Sequence, residues 1–194
     1  EAFGGKAIMT SDVHQRASDR VAEAAQQLDA DVVVMVQGDE PMVVPEMIDQ
    51  SVAPFLEGDD VQCVNLTKRI FEEGEYLSPN TIKVVMDHRS EALYMSREPI
   101  PTRGVLDFEN IHAFKQVCII PFTRDLLLTY ADLDPTPLEK EESIDMLRFM
   151  EHGYKVRMVE TQFETYAVDT REDLTRVENI LRDDPLVKKY LRAK

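Results

Sequence analysis

The chain has 194 residues, enough to bury a full core, with 43% hydrophobic and 30% charged residues, ordinary values for one globular domain. Its 22 basic against 37 acidic residues give a formal charge of −15, which argues against nucleic acid or anionic membrane surfaces as partners. No apolar run is long enough for a membrane span, no signal-peptide pattern opens the chain, and Cys63 and Cys118 each lie inside an apolar run, as core thiols of a reducing compartment do. These features predict a cytoplasmic protein.

Taken in order, Glu1 to Met9 reads as a helix end, a glycine turn and a short strand. Ser18 to Leu28 predicts a helix with a serine N-cap, its apolar stripe formed by Val21, Ala24, Ala25 and Leu28. Val32 to Val36 is a β-branched run that ends abruptly in Gln37-Gly-Asp-Glu-Pro41, which predicts a strand buried on both faces of a parallel sheet and a turn at its carboxyl edge. Ligands of open α/β sheets bind at that edge, so Asp39 and Glu40 are either candidates for holding a hard cation or two solvated acids of a surface turn. Pro45 opens a helix to about Leu56, with Ile48, Val52 and Phe55 inward. Strands follow over Val61–Leu66, Ile82–Met86, Ala92–Ser96 and Val117–Ile120, and a short helix runs over Arg124–Tyr130. Thr136-Pro-Leu-Glu139 carries a threonine cap, a first-turn proline and a capping-box glutamate, predicting one helix to His152 with a stop at Gly153. Val156–Val159 and Tyr166–Asp169 read as strands, and Thr170 and Asp173 open a last clear helix before a basic tail beyond Pro185. The alternation of strands and helices predicts an α/β fold.

The common phosphate-loop, dinucleotide and zinc motifs are absent, and His14, His88, His112 and His152 share no metal-ligand spacing. What remains is a pair of aspartates, Asp39 and Asp169, each following a short apolar run. Two carboxylates converging at one sheet edge could hold magnesium against a polyphosphate, whereas Asp169 alone also fits a helix N-cap.

Several ordered stretches resemble one family, the 3-deoxy-manno-octulosonate (Kdo) cytidylyltransferases, or CMP-Kdo synthetases. Gln37-Gly-Asp-Glu-Pro41 is similar to that family's central motif, and Ser78-Pro-Asn-Thr-Ile-Lys-Val-Val85 to its N-P-N-x-V-K-V-V stretch. Ala92-Leu-Tyr-Met-Ser-Arg97 with Pro99-Ile-Pro101, Thr136-Pro-Leu-Glu139 with Leu147-Arg148, and Val168-Asp-Thr-Arg-Glu-Asp-Leu174 resemble three more. Met9-Thr10, His14-Gln15 and Ser18 to Glu23 look like the segment beyond the family's third strand.

The resemblance implies a Rossmann-like nucleotide-diphospho-sugar transferase fold, with a mixed, mostly parallel sheet and a small dimerisation lobe over approximately 97–153. It also implies a homodimer that transfers CMP from CTP to the anomeric hydroxyl of a sugar acid, using magnesium (Mg2+), in bacterial lipopolysaccharide or surface-polysaccharide synthesis. Asp39 and Asp169 fall on the family's catalytic, metal-binding aspartates. Gln37, Gly38, Ser18 and Arg20 fall where it handles nucleotide; Gln15, Arg97, Gln116, Glu139 and Asp145 fall where it handles the sugar acid. Two departures stand out. The family's opening A-R-x-x-S-x-R-L-P-G-K loop has no counterpart here, so the N-terminal strands are expected to be missing and nucleotide binding weak. Its R-H-x-G-I-Y-x-Y strand reads Lys115-Gln-Val-Cys-Ile-Ile-Pro-Phe122, placing Gln116 at the histidine position, and Asp145-Met146 replaces an acid–amide pair. Rival readings are a nucleotidyltransferase for another sugar and a non-catalytic dimerisation or binding module.

Overall fold

A computed structural model describes residues 4–58, 60–104 and 106–192. Helix α1 (Ala17–Gln26) leads into strand β1 (Val32–Val36), followed by α2 (Pro45–Leu56), β2 (Val64–Arg69), α3 (Glu73–Leu77), β3 (Lys83–Met86) and β4 (Ala92–Ser96). Next come β5 (Phe114–Val117), β6 (Ile119–Thr123), α4 (Arg124–Asp132), α5 (Pro137–Glu142), α6 (Asp145–Glu151), β7 (Arg157–Glu160), α7 (Arg171–Leu181) and α8 (Pro185–Arg192).

Five strands form a sheet in the order β4-β3-β5-β2-β7, and β1 pairs with β6. The two groups are joined because β5 and β6 are one bent run interrupted at Cys118. Leu66 stands opposite Val117 and Cys63 opposite Phe122, so the β5–β6 side carries more residues between these partners than the β2 side. Such an irregularity bends a strand and re-aims its side chains, here beside the turn that follows β1. Among the described strand pairs only β2–β7 is parallel; β1–β6, β2–β5, β3–β4 and β3–β5 are antiparallel. The mixed sheet is as expected, but its mostly parallel character is not. Strand β1, expected in a parallel sheet and buried on both faces, pairs antiparallel with β6 and is half-buried over most of its length, because a β-branched run does not encode the direction of its neighbour.

The main core gathers Ala22 and Ala25 of α1, Met35 of β1, Phe122 of β6, Leu126, Leu127 and Tyr130 of α4, and Met146, Leu147 and Phe149 of α6. A second cluster packs Met47 of α2 against Leu66, Val117 and Ile119. Segment 97–153 thus contributes central strands and core helices to the same body.

Other differences have local causes. Lys6 to Met9 forms no strand, and neither does Tyr166–Asp169, which joins no sheet. The helix expected over 137–152 is two, because Ser143 takes a left-handed conformation at φ 55° and turns the chain between α5 and α6. In α2 the buried stripe is Met47, Ser51 and Pro54, one residue round from the expected Ile48, Val52 and Phe55, which are half-buried. Helix α1 starts two residues early, with Arg16 at its N-cap, and Ser18 is buried in its first turn. Among the described residues no helix is long and apolar enough to cross a membrane.

Candidate active site

Where β1 ends, the chain turns under the bend of the β5–β6 run. Gln37 N–H donates to Cys118 C=O at 3.2 Å, and Glu40 N–H to Gln37 C=O at 3.2 Å. The turn separates its two acids. Glu40 is 7% exposed, and its Oε1 accepts Cys118 N–H at 2.9 Å. Burial, and secondarily the charges of Asp39 and Asp169, push its carboxyl above the usual range. Both acids, with Gln37 and Asp169, line a cleft of about 750 Å³, but Glu40 is spent on the Cys118 amide.

The second carboxylate is brought in by the backbone. Val168 N–H donates to Asp39 C=O at 2.9 Å, which sets Asp169 beside Asp39 although no strand leads into it. The N-cap of α7 is Thr170: its Oγ accepts Asp173 N–H at 3.1 Å while Asp173 Oδ2 accepts Thr170 N–H at 2.9 Å. That reciprocal box satisfies the helix start and leaves the Asp169 carboxylate free of capping. Partial burial, then the neighbouring Asp39 charge, raises the Asp169 carboxyl above its ordinary value. Asp39 Oδ1 is buried, and among the described residues it has no hydrogen-bond partner. An orphaned carboxylate oxygen beside a second carboxylate suits a hard cation, and magnesium needs only one or two such ligands when water and phosphate oxygens complete its shell. The residues present therefore fit the magnesium that the sequence motifs imply.

Of the other residues singled out from sequence, Gln15, Gln37, Arg97, Gln116 and Asp145 line the same cleft. Arg97 directs its guanidinium hydrogen bonds at carbonyl oxygens, of Glu142 at 2.7 Å, Pro79 at 3.0 Å and Ser143 at 3.3 Å. Asp145 Oδ2 accepts Ser18 N–H at 3.1 Å, and burial raises its carboxyl pKa. Gly38, Ser18, Arg20 and Glu139 are not in the lining. Arg20 holds the preceding loop through Thr10 Oγ1 at 2.7 Å and Ser11 C=O at 3.0 Å. Glu139 is fully buried and is held by Arg148, whose Nη2 and Nε lie 2.6 and 2.8 Å from its oxygens, with Arg16 Nε at 3.4 Å. A carboxylate so enclosed is a structural counter-ion.

Sequence reasoning passed over Arg16, Lys115, Tyr166 and Arg176, all in the lining. Arg16 reaches from the start of α1 to Ser143 Oγ at 2.7 Å and Glu139 C=O at 3.1 Å, tying α1 to the α5–α6 bend. The Tyr166 ring lies between Lys115, 5.2 Å from its centroid, and Arg176 at 3.6 Å. Those cations pair with Glu75 and Glu72 respectively. A lysine beside Gln116 in β5, buried in the structure, was the available signal; Tyr166 and Arg176 carried none. Among the described residues the cleft lining thus holds four basic side chains, Arg16, Arg97, Lys115 and Arg176, against eight carboxylates, so a polyphosphate would enter it most readily as a metal complex.

The cytidylyltransferase family profile matches residues 1–162, a span that holds Asp39 and stops short of Asp169. The 3-deoxy-manno-octulosonate cytidylyltransferase of Geobacter metallireducens is 43% identical over 185 residues, covering 91% of this chain and 73% of that protein. That of Geotalea daltonii is 41% identical over 191 residues, covering 94% and 76%. Among solved structures, a CMP:2-keto-3-deoxy-manno-octonic acid synthetase complexed with CTP superposes with a TM-score of 0.83 at 35% identity, over 93% of this chain and 74% of that one. Fold, ordered motifs and relatives agree: the chain belongs to the 3-deoxy-manno-octulosonate cytidylyltransferase family of sugar-acid cytidylyltransferases.

Proposed function

We propose that the cleft transfers CMP from CTP to the anomeric hydroxyl of Kdo or a closely related 3-deoxy sugar acid, in bacterial lipopolysaccharide or surface-polysaccharide synthesis. The hydroxyl oxygen attacks the α-phosphorus and gives up its proton to solvent, the bond to the β-phosphate bridging oxygen breaks, and pyrophosphate leaves. The observation that carries this reading is the Val168-to-Asp39 backbone bond, which brings two carboxylates from distant parts of the chain to one cleft, where Asp39 Oδ1 has no partner among the described residues. Asp39 and Asp169 would hold Mg2+ there, and the bound ion would neutralise charge on the phosphate oxygens. Gln37, at the end of β1, serves the nucleotide. Arg97, Gln116, Gln15 and Asp145 serve the sugar acid, with Arg97 offering its cation to the acid group. Orientation of the two substrates on one rigid sheet edge is the chain's main contribution to rate.

The protein works as a cytoplasmic homodimer, a reading supported by its two free thiols and by exposed apolar side chains such as Leu93 on the edge strand β4. The test is pyrophosphate release from CTP and Kdo with and without magnesium, in wild type, Asp39→Asn and Asp169→Asn. Release that needs both substrates and magnesium and falls at least about a hundredfold in each variant is expected. Undiminished release in Asp39→Asn overturns the metal pair, and no release with any sugar acid overturns the reading itself.

A further inference from the structure

Gln116 lies on β5 with its side chain toward Asn65 of β2, a diagonal neighbour across the strand pair. Asn65 is fully buried and its carboxamide orientation is fixed. Both Nδ2 hydrogens are used, to Leu66 C=O at 2.8 Å and Val117 C=O at 2.7 Å. Turning the amide over would set its oxygen against two carbonyl oxygens and lose both bonds. Asn65 Oδ1 therefore stands as an acceptor, and Gln116 Nε2 donates to it at 2.6 Å. With Nε2 held in this way, Gln116 Oε1 is turned away from Asn65, and among the described residues nothing donates to it. Gln116 itself is half-buried in the cleft lining.

Resting on the sugar-acid reading above, we infer that Asn65 is a positioning residue that locks the Gln116 carboxamide with its oxygen toward the substrate. That face of the site recognises a hydroxyl hydrogen of the sugar acid and not its carboxylate. A carboxylate offers only lone pairs, which Oε1 repels, whereas a sugar hydroxyl can donate. A histidine at the same place could present a proton to either group. The buried amide relay thus makes this part of the pocket a neutral acceptor at every pH of interest, since neither amide titrates.

The test uses the full chain and measures binding by calorimetry, which does not depend on turnover. Gln116→Met keeps length and removes the acceptor; it is expected to weaken Kdo binding about five- to tenfold and to leave CTP binding within about twofold. Asn65→Ala is expected to weaken Kdo binding about fivefold in the wild-type background and less than about twofold in Gln116→Met, because its effect runs through Gln116. Equal losses in both backgrounds, or a loss that falls on CTP, overturn the inference. Should Asn65→Ala not fold, Kdo analogues carrying fluorine in place of one hydroxyl at a time decide, since fluorine has no proton to donate. One analogue is expected to bind wild type about fivefold more weakly and to be indifferent to Gln116→Met. If every analogue stays sensitive to Gln116→Met, the inference fails. Wild type that binds Kdo without regard to Gln116 sinks this inference alone. Wild type that binds no Kdo-type acid sinks the functional reading with it.

Discussion

Asp39 is a liability to the protein while no cation is bound. Its charge, after burial, holds the Asp169 carboxyl above its ordinary value, so ionising Asp169 opposes folding. For a carboxylate whose folded pKa is raised, the penalty appears as pH rises through the window from the unfolded value, about 3.9, to the folded one, and is complete above it. Asp39→Asn should therefore stabilise the metal-free protein at pH 7 by about 0.5 kcal/mol, a figure reduced for solvent screening. The gain should vanish below about pH 4, where Asp169 is protonated in both states. Urea unfolding of the two proteins at both pH values measures it; destabilisation at pH 7 would contradict the repulsion. Magnesium with CTP should raise the Tm of wild type and not that of the variant. Glu139 behaves oppositely. Arg148 is 4% exposed, and Glu139→Gln removes one of its two charge partners while Asp19 remains at 3.0 Å, so a loss of about 2 kcal/mol is expected in chemical denaturation. Full stability with weakened sugar binding would return Glu139 to the pocket. The sequence motif does not distinguish the two roles, because a capping-box glutamate facing a buried arginine and one facing a ligand are spelled alike.

At the scale of elements, boundaries written in capping residues were readable and strand directions were not. Thr136 and Thr170 each head a helix with its capping box, and Arg124 starts α4 as the pattern predicts. The break at Ser143 left no mark, since a serine in a left-handed conformation is stabilised here by what surrounds it, including Arg16 on its hydroxyl. Tyr166–Asp169 reads as a strand from its apolar residues, yet its Val168 N–H meets the Asp39 carbonyl and its Asp169 N–H the Asp173 carboxylate, with no ladder formed. An apolar run without a ladder is not told from a strand by periodicity. The N-cap reading of Asp169 was off by one residue, and that one residue decides whether a carboxylate is consumed by the helix or left for the cleft. Thr170→Ala should cost about 1 kcal/mol and lower Tm by about 2–4 °C. Because the box also fixes the chain just after Asp169, the variant should bind magnesium–CTP more weakly than its stability loss alone explains. Unchanged binding would show that the Val168 bond suffices to place Asp169.

For the molecule as a whole, composition set the right class and the wrong sheet. An acidic chain rich in short β-branched runs is α/β, but four of its five strand pairings are antiparallel among the described residues. The net charge of −15 hid the cleft's basic side chains, which come from four separate regions of the chain. The assembly should show in solution as a mass near twice 22.2 kDa by light scattering at micromolar concentration, and a single-chain mass would refute the homodimer. Finally, the Val168-to-Asp39 hydrogen bond has a meaning in time as well as in space. It joins the first quarter of the sequence to the last, so its loop-closure entropy is met only when most of the chain has already been ordered. A ribosome-bound chain can complete β1 and its turn long before Asp169 emerges, and until then it has half a site. The Val168 amide is consequently a clock for maturation: its protection from hydrogen exchange in a pulse-labelled refolding should arrive with the last phase, together with the capacity to bind a metal–nucleotide complex.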